Sequence, residues 1–193
     1  MSSILIIIPA RLGSKRLKKK NILPIKKLPM FVYVAKEALK SKFDVNVFVS
    51  SESSQIINIC KKNKINFIKR PYSLSRDHIE KQEAIVHAYK QLKKKFKPKI
   101  IVSLQSNTPE FKIRDLDNAI NFFKKKAFVK KPIKEVISIG KDNLQNGAFR
   151  IMTPATVCKK TLSTNVGVYY TDYIDVHDFN DYKKAKKKIE KKN

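Results

Sequence analysis

The chain has 193 residues, 42% of them hydrophobic and 31% charged, which gives room for one sizeable core and argues against wholesale disorder. The net charge of +27 rests on lysine, since six of the 43 basic residues are arginines and the other 37 are lysines. Arginine is the residue that grips phosphate and guanine with two prongs, so a lysine surface spread along the whole chain reads as a solvated face that can gather anionic substrates, and nucleic acid is not the expected partner.

The longest apolar run surrounds Ile4–Pro9 and falls far short of the roughly 20 residues that a membrane span needs. No basic flank precedes it and no small-residue cleavage site follows it. No membrane association is therefore expected, and the default location is the cytoplasm. The two cysteines, Cys60 and Cys158, are too far apart in sequence for a metal knuckle and too few for a disulfide framework.

In chain order, Ile4–Ile8 is β-branched and bounded by Pro9, and it predicts a buried strand. Residues 9–29 show no periodicity and read as a long loop. A helix is expected over 30–42, a strand over 45–49, a helix over 52–63 and a strand over 65–68. The stretch 79–96 sets Ile85, Ala88, Tyr89, Leu92 and Phe96 on one face of an amphipathic helix. A strand over 100–104 and a helix over 113–125 follow. Later strands are expected over 136–139, 147–151 and 165–170, and a lysine-rich helix over 179–191. Asp77 is expected to cap the helix that starts near Ile79, and Asp178 with Asp181 the last one. His78 and His87 read as surface or helix-face residues. Strands alternating with helices predict a three-layer α/β domain with a mostly parallel, twisted sheet. Ligands in such folds bind beyond the carboxyl ends of the strands, which points to the loops after Ile8, Val49, Ile68 and Leu104.

The loop after the first strand carries the most chemistry. It holds Arg11, Gly13, Ser14 and Lys20 within a dozen positions. Gly13 allows close backbone approach to a phosphate, Ser14 and the loop amides can donate, and Arg11 and Lys20 supply charge. The spacing matches neither a Walker A loop nor a dinucleotide fingerprint. On these residues alone, a phosphate cradle and a solvated basic loop both remain open.

The segment Ile7-Ile8-Pro9-Ala10-Arg11-x-Gly13-Ser14-Lys15-Arg16, followed by Lys20-Asn21, resembles the opening of the CMP-sugar synthetases. These are the cytidylyltransferases that activate sialic, pseudaminic, legionaminic and 3-deoxy-manno-octulosonic acids. Further segments are similar in the same order: Ser50-Ser51-Glu52, Arg70-Pro71 with Leu74 and Asp77, Gln105 through Pro109, Asn146-Gly147-Ala148, and Ile174 through Tyr182. The resemblance implies a nucleotide-diphospho-sugar-transferase-like fold. It also implies a single domain over 1–193, with a reduced dimerisation and sugar-pocket insertion at about 126–165. The implied reaction is attack of a sugar acid's anomeric hydroxyl on CTP, with release of pyrophosphate. Arg11 and Lys20 would bind the triphosphate, Gly13 and Ser14 would complete the cradle, and Asn21 would contact cytosine. Arg70 would lie near the nucleotide, and Gln105 would reach nucleotide or sugar. Asp175, with His177 beside it, would hold Mg²⁺ or Mn²⁺. The resemblance also leaves room for a homodimer.

The pattern departs from the family at three points. His177 stands where sialate-type enzymes carry a second aspartate, and Asn107 stands where the octulosonate type has an aspartate. Lys81-Gln82 stands where small hydroxyl residues are common. Rival readings are a catalytically inactive relative that binds nucleotide or protein, a basic nucleic-acid-binding protein, and a nucleotidyltransferase of another specificity.

Overall fold

The computed structural model describes residues 3–127, 129, 130, 132–159 and 161–191. Phe128, Lys131 and Lys160, which belong to the expected insertion at about 126–165, lie outside the described residues.

The strands are β1 (Ile4–Pro9), β2 (Pro24–Ile25), β3 (Leu28–Pro29), β4 (Val45–Ser51), β5 (Asn66–Lys69), β6 (Ile100–Leu104), β7 (Glu135–Ile139), β8 (Gln145–Met152) and β9 (Val166–Tyr170). The helices are α1 (Met30–Ala38), α2 (Ser54–Lys62), α3 (Lys81–Phe96), α4 (Ile113–Ala127), α5 (Pro154–Val157) and α6 (Phe179–Glu190). Seven strands form one sheet in the order β5-β4-β1-β6-β8-β7-β9. The pairs β5–β4, β4–β1, β1–β6 and β7–β9 are parallel, and β8 runs against both β6 and β7. The α/β class and the mostly parallel sheet expected from sequence are both present.

Side-chain alternation along β1 explains the three layers. Ile4, Ile6 and Ile8 point to one face and pack with Phe31, Val34, Ile56, Leu116, Ile120 and Phe123 of α1, α2 and α4. Leu5 and Ile7 point to the other face and meet Ile85, Ala88, Tyr89 and Leu92 of α3 and Val157 of α5. A strand buried on both faces can be apolar at every position, which is why this run reads as continuous isoleucine and leucine.

Two elements were not legible as expected. The loop over 9–29 contains a short 3-10 turn (Lys20–Ile22) and the β2–β3 hairpin, which closes through Lys26 at φ 50°. That hairpin buries Ile25 beneath α6, against Met30, Val176, Tyr182 and Ala185. Asp77 does not cap α3, because Glu80 occupies that position and Asp77 turns toward the first loop. By contrast, Asp178 and Asp181 form a full capping box at the start of α6, as expected. Among the described residues no helix is long and apolar enough to cross a membrane.

Phe123 is fully buried where α4 meets the sheet. Phe123→Ala should lower stability by about 3–5 kcal/mol in urea denaturation, through lost transfer energy and the cavity left behind.

Candidate active site

The chain runs from β1 to β4 and β5 on one side, then crosses back to β6 on the other side of β1. The loops after β1 and β6 therefore diverge at a topological switch point, where open α/β sheets bind ligands. A cleft of about 290 Å³ opens there, lined by Arg11, Arg16, Lys20, Lys81, Gln105 and His177 among others.

One wall is organised by a buried ion pair. Arg70, at the end of β5, donates from Nη2 to Glu52 Oε2 at 3.0 Å, from Nη1 to the Ser50 carbonyl at 2.9 Å and from Nε to Ser75 Oγ at 2.9 Å. The side chains of Arg70 and Glu52 are 3% and 9% exposed. Ser75 Oγ also donates to Glu52 Oε2, and the Leu12 amide donates to Glu52 Oε1 at 2.8 Å. Burial lowers the pKa of Arg70, and the charge of Glu52 opposes that shift. The guanidinium expected near the nucleotide is thus spent on tying the first loop, the end of β4 and the turn after β5 into one frame.

Asn21 is buried and plays a similar part opposite. Its Nδ2 donates to the Arg11 carbonyl at 2.8 Å, and its Oδ1 accepts from Ser106 Oγ at 3.0 Å. The loop after β1 is thereby fastened to the loop after β6. Lys20, one position earlier, reaches the cleft. Its partial burial lowers its pKa, an effect that Asp175 opposes.

Arg11 is half-exposed and donates to Asp77 Oδ1 at 2.9 Å, while Lys15 pairs with Asp77 Oδ2 at 3.0 Å. These bonds, Lys15's first, hold the Asp77 carboxyl below the usual carboxylate range. Gly13 and Ser14 line a neighbouring recess, on whose border Arg11 and Asp77 also stand. A Cβ built on Gly13 would meet nothing within 4 Å, so the space above that backbone is open.

The far wall centres on Asp175. Its Oδ2 accepts from Gln105 Nε2 at 2.9 Å and lies 3.0 Å from His177 Nε2, and its Oδ1 accepts from Asn107 Nδ2. Asn107 and Val176 also exchange hydrogen bonds, through the Asn107 side chain at 2.7 Å and the Val176 amide at 3.0 Å. Burial raises the pKa of Asp175, against the pull of His177, the Gln105 bond, Lys20 and Lys81. Gln105 can reach Asp175 because Gly147 passes close by at φ 65°, where a Cβ would stand 3.1 Å from Gln105 Nε2. This is the structural reason for glycine at 147 within the Asn146-Gly147-Ala148 segment.

Two features here were not assigned from sequence. Lys81, the first residue of α3, donates to Gln105 Oε1 at 2.8 Å. Crowding around its ammonium lowers its pKa, with Asp175 opposing. Sequence flagged Lys81 as a departure, but its contact lies 24 positions away. Arg16 Nη2 lies 3.1 Å from His177 Nδ1. Guanidinium can only donate, so Nδ1 is the acceptor and Nε2 carries the proton given to Asp175.

These bonds bear on the metal expected at Asp175 and His177. Mg²⁺ favours several oxygen ligands. Here the donor set beside Gln105 is one carboxylate whose oxygens both accept hydrogen bonds, a histidine with both ring nitrogens engaged, and the cations Lys20 and Lys81. Among the described residues no three His, Cys, Asp or Glu side chains gather as a metal would need. The arrangement does not fit a resident divalent ion.

Arg70→Ala should destabilise the protein by about 3–5 kcal/mol in urea denaturation, because it strands Glu52 as a buried, unpaired charge. Arg11→Ala, which breaks a partly exposed pair with Asp77 and a 3.3 Å bond to the Ser75 carbonyl, should cost no more than about 1 kcal/mol in the same measurement.

Comparison with known proteins supports this geometry. Residues 5–171 match the model of the cytidylyltransferase family. The N-acylneuraminate cytidylyltransferase of Escherichia coli O18:K1:H7 is 37% identical over 87 residues, which are 45% of this chain and 21% of that protein. The chain spans well under two thirds of the curated relatives' lengths, 21%, 17% and 48% for three of them. The solved structure of a CMP:2-keto-3-deoxy-manno-octonic acid synthetase complexed with CTP superposes with a TM-score of 0.82 at 14% identity, covering 100% of both chains. A Mycobacterium tuberculosis protein solved in complex with manganese shares the fold, with a TM-score of 0.65 at 11% identity over 97% of this chain and 99% of that one. With more than half of its length matched by one family model, and with the family's segments meeting at one cleft, the chain belongs to the cytidylyltransferase family.

Proposed function

We propose that this protein transfers CMP from CTP to the anomeric hydroxyl of a 2-keto-3-deoxy sugar acid, of the nonulosonic or octulosonic class, and releases pyrophosphate. The observation that carries this reading is the cationic cleft at the switch point, where Arg11, Arg16, Lys20, Arg76 and Lys81 outnumber the carboxylates Asp77 and Glu80, and where Lys20 and Lys81 are both electrostatic neighbours of Asp175. Family membership and the names of the matched relatives support it.

In the reaction, the anomeric hydroxyl oxygen attacks the α-phosphorus of CTP. The new O–P bond forms as the α–β bridging P–O bond breaks, its electron pair departs on pyrophosphate, and the hydroxyl proton is released. Such transfers depend on positioning and charge neutralisation more than on covalent catalysis. Arg11 and Lys20 meet the phosphates, with the open backbone at Gly13 and the Ser14 hydroxyl beside them. Cytosine is assigned to the Asn21 side of the cleft, and the sugar acid to the Gln105 side. Arg70 and Asn21 hold the loops in place. Divalent metal, Mg²⁺ or Mn²⁺, would enter on the phosphates as part of the substrate and would supply further charge neutralisation there.

CTP is a cytoplasmic nucleotide, so we place the activity in the cytoplasm. The edge strand β9 exposes Val168 and Tyr170, an unpaired apolar edge that supports the reading of a homodimer. The lysine surface is assigned to solvent, so duplex DNA at physiological salt should bind no tighter than about 1 µM. Sub-micromolar binding would favour the nucleic-acid reading.

Arg11→Ala should weaken CTP binding in titration calorimetry by about 1.5–3 kcal/mol, the range for removing a charge-assisted hydrogen bond. Unchanged affinity would remove the triphosphate from this loop.

A further inference from the structure

Two of the cleft's cations, Lys20 and Lys81, share Asp175 as an electrostatic neighbour, which Arg76, also in the lining, does not. Arg11 is paired with Asp77, Arg70 with Glu52, and Arg16 is hydrogen-bonded to His177. Lys20 and Lys81 have no such carboxylate or imidazole partner among the described residues, although both are electrostatic neighbours of Asp175. They approach from opposite walls, Lys20 from the turn that follows the first loop and Lys81 from the first turn of α3. Lys81 is anchored, since its Nζ donates to Gln105 Oε1 at 2.8 Å while Gln105 Nε2 donates to Asp175 Oδ2 at 2.9 Å. One carboxylate is therefore within electrostatic reach of two ammoniums, with the N–H of His177 Nε2 against it as well.

This distribution suits an anion and opposes a dication. A divalent ion at Asp175 would have to displace hydrogen bonds from both carboxylate oxygens, and it would sit between two positive charges with no second carboxylate to offset them. A triphosphate on the cleft side of Asp175 would gain from both lysines, whose two positive charges exceed the single negative charge of the carboxylate. A lysine ammonium is a compact point charge that binds phosphate without needing the two-pronged geometry of arginine.

We propose that Lys20 and Lys81 form a two-lysine clamp for the triphosphate across Asp175, so that CTP binds this chain without a divalent ion. The clamp rests on the reading of the protein as a CTP enzyme. It makes Lys81 a nucleotide-binding residue at a position where the family resemblance implied none. Mg²⁺ accompanying CTP then adds to the chemistry without being the device that holds the nucleotide.

The test is titration calorimetry with CTP in EDTA and in Mg²⁺, on the intact chain and on Lys81→Met. The intact chain should bind CTP in EDTA within tenfold of its affinity in Mg²⁺. Lys81→Met should lose at least tenfold in EDTA, with Mg²⁺ recovering part of the loss, and Lys81→Arg should keep the affinity of the intact chain. If Lys81→Met melts at a lower temperature than the intact chain, Lys81→Gln carries the same measurement. More than tenfold dependence of the intact chain on Mg²⁺, or an affinity in EDTA that Lys81→Met and Lys81→Gln leave unchanged, overturns the clamp while the CTP reading stands. Binding of CTP in neither buffer overturns that reading, and the clamp with it.

Discussion

The buried ion pair between Glu52 and Arg70 locks together three segments that strand pairing brings side by side, the first loop, the end of β4 and the turn after β5. An ion pair removed from water is expensive to assemble and costly to break on one side only. Here the expense is offset by saturation. Arg70 donates to Glu52, a carbonyl and a hydroxyl, and Glu52 accepts from a hydroxyl and from the Leu12 amide as well. The first loop, the end of β4 and the turn after β5 become one rigid wall. Arg11 and Lys15 are thereby presented to the solvent side of the cleft at the same time as Lys20 is turned inward. Asn21 then fastens this wall to the loop after β6, so the cleft has a fixed width before any ligand enters.

Charge follows from that frame. The anions that face the first loop are already committed, Glu52 to Arg70 and Asp77 to Arg11 and Lys15. Asp77 occupies two cations of the phosphate loop in the way a phosphate oxygen would, and its exposure means that a triphosphate can displace it. Deeper in, Asp175 is kept in place by Gln105, Asn107 and His177. Its neighbours are all donors or cations, which is why the site reads as a receiver of phosphate and not as a metal cage. The net charge of +27 makes the surface predominantly positive, and within a Debye length of about 8 Å at physiological salt it raises the local concentration of anions.

Much of this was legible in the sequence because burial leaves a local signature. Ile4–Ile8 could only be a strand covered on both faces, and the 3.6-residue spacing of Ile85, Ala88, Tyr89 and Leu92 described α3. The capping box at Asp178 and Asp181 was readable because its partners lie three residues apart. Long-range pairings left no such trace. A carboxylate before a helix looks the same whether it caps the helix or reaches 66 residues back to Arg11, so Asp77 was misread. The β2–β3 hairpin has strands of two residues, too short to show a period. Arg70 was recognised as belonging to the site, but its burial depends on Glu52, Ser50 and Ser75. The value of Gly147 emerges only when Gln105 is seen to pass beside it.

The central claim is catalytic, and a pyrophosphate-release assay tests it most directly. Each of the four ribonucleoside triphosphates would be paired with a panel of 2-keto-3-deoxy sugar acids, in Mg²⁺ and in Mn²⁺. The account predicts release with CTP and at least one acid, dependent on both substrates, with the other three triphosphates poor. Release with another triphosphate in preference to CTP, or none with any acid from a folded chain that binds CTP, would contradict it.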